Sequence, residues 1–137
     1  MLAYKQQFFA TLSVTDQEPQ LKYNEANTDY ETYYSRYETA KNNYISLQEA
    51  YYSAKDTFEG RYYDFDPVEH TEEERAAFDA ALADVYAKEA AANDAREFME
   101  REEENVRSAN TSLDVARKSY LEYVNGLSET TAQNTIA

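Results

Sequence analysis

From residue 23 to residue 58 an aromatic ring recurs at every seventh position: Tyr23, Tyr30, Tyr37, Tyr44, Tyr51 and Phe58. Between them fall Ala26, Tyr33, Ala40, Leu47 and Ala54. Apolar residues at alternating steps of three and four lie on one face of a helix, and a heptad-spaced seam of this kind must be covered by another helix. No Gly or Pro interrupts Gln20 to Glu59, as a continuous helix requires. The pattern predicts a first helix over about 18–62, roughly 65 Å long at 1.5 Å per residue. Thr15 and Glu18 fit a capping box, with Pro19 tolerated in the first turn.

A second seam reads Phe78, Ala81, Val85, Lys88, Ala92, Ala95, Met99, Glu102, Val106, Ala109, Leu113, Ala116, Tyr120, Tyr123, Leu127. Only Lys88 and Glu102 break its apolar character, which predicts a second helix over about 71–127. Between the helices, Asp66 precedes Pro67 and is pushed out of the α region. Thr71 followed by Glu72, Glu73 and Glu74 reads as a capping box with carboxylates at a positive helix N-terminus. Gly60 and Gly126 suit the two C-termini.

Two long helices joined by a short turn pack antiparallel. The expected fold is therefore all-α, a long two-helix coiled-coil hairpin within a larger helical assembly. Residues 1–15 form an N-terminal segment, extended or a short helix, docking on the hairpin base or a partner. Residues 16–127 form the hairpin, and 128–137 a polar, flexible tail. A turn centred near Asp66 sets Tyr51 beside Ala81, Tyr37 beside Ala95 and Tyr23 beside Ala109, rings against small residues. It sets Lys88 opposite Tyr44 and Leu47, and Glu102 opposite Tyr30 and Tyr33, within reach of tyrosine hydroxyls. Tyr120, Tyr123, Val124 and Leu127 are expected to project past the start of the first helix.

The first helix also carries apolar residues outside its seam. Tyr34, Ile45 and Tyr52 flank it, Tyr34 and Tyr52 at one azimuth because 18 residues make five turns. Tyr62, Tyr63 and Phe65 lie at the turn, and Phe8 and Phe9 near the N-terminus. Two helices enclose no core, so this much wet ring area points to a protein partner. These eight residues are the expected interaction residues, and a homo-oligomer the expected state.

Composition narrows the chemistry. The chain has 137 residues with only two Gly and two Pro, against about 12% for the two together in ordinary domains. That argues against folds built from many hairpins. Its formal net charge is −14, a surface that repels nucleic acid and anionic lipid over about 8–10 Å. Direct binding to either is not expected. High charge alone suggests disorder, but 42% hydrophobic residues, placed periodically, oppose that. No stretch approaches the roughly 20 apolar residues of a membrane span, and Phe8 to Val14 is too short for a signal-peptide core. A cytoplasmic or virion-associated location is the expectation.

One His, no Cys and no Gly-rich loop leave no motif for nucleophilic, metal or phosphate chemistry. His70 is expected to be a solvated loop residue. Asp64, Asp66 and Glu69 lack the spacing of an EF-hand loop. No cofactor, no metal and no catalysis are expected. Asn110-Thr111-Ser112 matches a glycosylation sequon, but inside a helix.

Two functions are compatible with these features. One is a structural or assembly protein, such as a virion, appendage or scaffold component. The other is an acidic mimic of DNA that inhibits a nucleic-acid-binding enzyme, since carboxylates three or four apart on a helix stand about 5–6 Å from one another. Glu97, Glu100, Glu102, Glu103 and Glu104 are the densest such patch, broken by Arg101, and Arg96, Arg101, Arg107, Arg117 and Lys118 interrupt the second helix. A small secreted hairpin has no export signal or Trp-Xaa-Gly turn behind it.

Overall fold

A computed structural model describes residues 17–136, with side chains described as far as Leu127. The expectations for the segment 1–15, including Phe8, Phe9 and the Thr15 cap, lie outside the described residues. Helix α1 spans Glu18–Arg61 and helix α2 spans Glu72–Ile136, with no strand among the described residues. The protein is an all-α helical hairpin.

Gln17 supplies the first helical carbonyl of α1, accepting from Leu21 N at 3.1 Å. Pro19 falls within the first turn, where its missing N–H leaves no bond unmade. At α2 the capping box forms. Thr71 Oγ1 accepts from Glu74 N at 3.1 Å, and its hydroxyl faces Glu74 Oε1 at 3.2 Å. Thr71 O closes the first turn with Arg75 N at 3.0 Å.

Neither glycine acts as a left-handed cap, because no described glycine has a positive φ. α1 ends one residue past Gly60. α2 runs through Gly126 to Ile136, so the predicted end at Leu127 is corrected. A helical Gly costs about 1 kcal/mol relative to Ala. That penalty weakens a helix without stopping it, and no proline follows.

The chain forms two compact units, Arg36–Glu103 and the remainder. In the first, Arg36 pairs with Glu102, Tyr51 with Glu89 and Phe58 with Phe78. Residue numbers fall on α2 as they rise on α1, so the helices there are antiparallel. In the second, the Tyr23 and Tyr120 rings meet at 5.2 Å.

The predicted seam is the buried face. Every a/d position named on α1 and α2 is half-buried or buried, and none is exposed. The buried apolar residues of α2 include Val85, Ala92, Ala95, Ala109 and Leu113, while α1 contributes only Ala40 to that class. α1 thus presents half-buried rings, and α2 meets them with buried alanines and with larger residues, Tyr120 and Val124 among them. No described side chain is wholly excluded from solvent, as expected of a two-helix seam.

The register differs from the expected one. Tyr51 reaches Glu89 and Tyr23 reaches Tyr120, about two to three turns further along α2 than Ala81 and Ala109. Side chains lean toward the N-terminus of their own helix. On antiparallel helices the two leans run in opposite directions along the seam, so their displacements add. Tyr120, buried beneath Tyr23, therefore does not overhang the start of α1. Lys88 is held by Asp84 on its own helix.

Glu102 is 2% exposed, and its Oε1 accepts from Arg36 Nη2 at 2.8 Å. The cation comes from outside the seam, and the Arg36 side chain stays half exposed. Charged seam residues cost solvation, and a partner recovers part of it.

Two outcomes follow from this packing. Thr71→Ala lowers stability by about 1 kcal/mol. Arg36→Met lowers it by about 1.5–3 kcal/mol, the worth of a hydrogen bond to a charged group, and adding Glu102→Leu restores most of the loss. Urea unfolding followed by circular dichroism measures each. A double variant no more stable than Arg36→Met alone overturns the second expectation.

Candidate interaction surface

In the unit Arg36–Glu103 the seam leaves one side of the hairpin studded with apolar side chains. Ile45 is 40% exposed, Tyr52 51% and Tyr86 60%. Each directly follows a ring or valine of the seam: Tyr44, Tyr51 and Val85. One step of 100° from the seam carries a side chain off the buried stripe and into solvent.

The two helices are tied together beside these residues. Tyr51 Oη donates to Glu89 Oε2 at 2.8 Å, and the Tyr51 and Tyr52 rings lie 5.2 Å apart. Tyr86 precedes Glu89 by three residues and so shares its side of α2. The hydrogen bond to the Glu89 carboxylate, with lesser help from desolvation and nearby negative charge, raises the Tyr51 phenol above its ordinary pKa of 10.0.

Of the expected interaction residues, Tyr34, Ile45, Tyr52 and Tyr63 are exposed. Tyr34 belongs to the other unit, where its ring stacks on Tyr30 at 6.0 Å. Tyr62 and Phe65 are half-buried in an aromatic cluster that closes the turn. The Phe65 ring lies parallel to Phe78 at 4.5 Å, and Tyr62 meets Phe65 and Phe78 edge-on at 5.7 and 5.1 Å. Phe58 joins them, 5.3 Å from Phe78.

His70 is also corrected. It is half-buried, stacked on Phe65 at 5.7 Å with the rings 9° apart. Asp66 Oδ1 accepts from Val68 N at 2.8 Å, a local turn bond. Among the described residues no group of three or more His, Asp or Glu is gathered to hold a metal ion. No helix there is long and apolar enough to cross a membrane.

Tyr86 was not among the expected residues. Its signal was present: it follows seam Val85 as Tyr52 follows seam Tyr51. The exposed Phe98, with the Arg101 guanidinium 5.8 Å from its ring centre, is a second addition.

A pH consequence attaches to the Tyr51–Glu89 bond. A phenol whose folded pKa is raised adds stability that is complete below the unfolded value of 10.0 and lost as pH rises through the folded one. Ultraviolet titration of Tyr51→Phe is expected to lack one late-ionising phenol present in the wild type. Its stability above pH 10 is expected to fall less steeply. Identical late titrations in the two proteins overturn the assignment. Compared with protein families, with curated proteins and with solved structures, the chain matches none.

Proposed function

We propose that this protein is a non-enzymatic assembly component, a helical hairpin that associates with copies of itself through the side bearing Ile45, Tyr52 and Tyr86. The observation that carries the reading is their exposure, 40–60%, on the side where Tyr51 is bonded across to Glu89. Apolar side chains grouped beside a rigid seam lose little conformational freedom on binding, and tyrosine is favoured at protein interfaces. A second hairpin laid along this side completes the core that two helices cannot enclose. A structural role in a scaffold, appendage or virion is consistent with such a unit.

The acidic-mimic alternative has less support. On α2 the cations Arg75, Lys88, Arg107 and Arg117 pair with carboxylates three or four residues away. A mimic of the phosphate backbone needs a face of one sign, and these cations interleave with the acids.

Light-scattering mass at several concentrations and at low and high salt tests the reading. The wild type is expected to show a multiple of 15.9 kDa that persists in high salt, since apolar burial is not screened. Tyr52→Ser with Tyr86→Ser is expected to shift it toward monomer while helicity is kept. A wild type that stays monomeric throughout, or an unchanged mass in the helical variant, rejects the proposal.

A further inference from the structure

The connection between the helices, residues 62–71, is pinned along its length. Phe65 packs on Phe78 and His70 on Phe65. Phe65 N donates to Tyr62 O at 3.2 Å, Val68 N donates to Asp66 Oδ1, and Thr71 caps α2. Arg61 and Arg75 lie over the rings of Tyr62 and Phe78 at 5.3 and 5.9 Å. From this fixed frame two large apolar side chains stand out, Tyr63 at 85% and Val68 at 86% exposure. They are the most exposed of their kind among the described residues. Nothing in the unit's packing uses either of them.

Their surroundings are acidic. Asp64, Asp66 and Glu69 share the connection, and Glu72, Glu73 and Glu74 open α2. The nearby arginines are drawn onto ring faces, and Arg75 also bonds Asp79. A second copy of this turn brings carboxylates against carboxylates, which disfavours a turn-to-turn contact, and an anionic bilayer is repelled in the same way. A basic surface is attracted, and an apolar recess in it accepts the protruding side chains.

We infer that the turn is a preorganised docking element for a partner protein whose surface is basic and carries an apolar recess, with Tyr63 and Val68 as anchors and the carboxylates as the rim. This site is separate from the side proposed for self-association. The pinned frame matters because a loop already ordered before binding loses little entropy on complex formation. The rim charges act mainly on the rate and salt dependence of binding, and the anchors on how long it lasts.

The probe is a random cyclic-peptide display library selected on the full-length protein, with enriched peptides synthesised and titrated by fluorescence anisotropy. Enrichment of Arg or Lys flanking Leu, Phe or Trp is expected. So is binding that weakens as salt rises. Tyr63→Ser with Val68→Ser is expected to weaken these peptides by about tenfold or more while helicity is unchanged, since neither side chain is packed. Tyr52→Ser with Tyr86→Ser leaves their affinity as in the wild type. No enrichment, peptides without basic residues, or affinity unaltered in the Tyr63/Val68 variant overturns the inference. So does binding that depends on Tyr52, or a fall in the protein's own oligomeric mass in the Tyr63/Val68 variant, which assigns the turn to a copy–copy contact.

Discussion

A ring at every seventh residue of one helix can leave water only against a second helix laid along it. Most other features of this hairpin follow from that requirement. It leaves the α1 rings Tyr30, Tyr37 and Tyr44 half-buried, while Ala92, Ala95 and Ala109 of α2 are buried. It allows α1 to be uninterrupted, because any Gly or Pro between the rings weakens the stripe that carries them. It also leaves ring edges and neighbouring side chains in solvent, since two cylinders share a line of contact and enclose nothing.

Polar groups then specify how the stripe is used. Glu102 sits at a seam position and is buried, yet its carboxylate is met by Arg36 from outside the seam. One charge among apolar seam positions is costly in any register that leaves it without a cation, so the pair discriminates between alignments that the heptad pattern treats as equivalent. The Tyr51–Glu89 bond adds a second such mark, and the ring cluster of Phe58, Tyr62, Phe65 and Phe78 fixes the end of the hairpin.

How much of this was legible depended on the range of the interaction. The seam was readable residue by residue, because helical periodicity is a local property of the backbone. The start of α2 was readable from Thr71 and Glu74, whose cap is complete within four residues. The alignment of the helices was not. It depends on how far side chains lean and how the turn packs, and neither enters a count from the middle of the loop. The packing of Tyr62 and Phe65 on Phe78 was hidden for the same reason: Phe78 already had a role in the seam, and sequence spacing does not reveal that one ring can serve seam and turn together. At Gly126 a residue that often ends helices did not, because it takes an ordinary helical conformation. The proposed interaction surface was half legible, through Ile45 and Tyr52 on α1. Tyr86 on α2 joins it only once the two helices are brought together.

The division of labour between the helices makes the hairpin unequal toward sequence drift. At a ring position of α1, a smaller residue opens a gap at the edge of the contact that solvent can enter, and the backbone path is kept. At Ala92, Ala95 or Ala109 any larger residue must push the helices apart, with harm spreading to neighbouring turns. The least conspicuous side chains of the molecule are thus the ones with least room to grow.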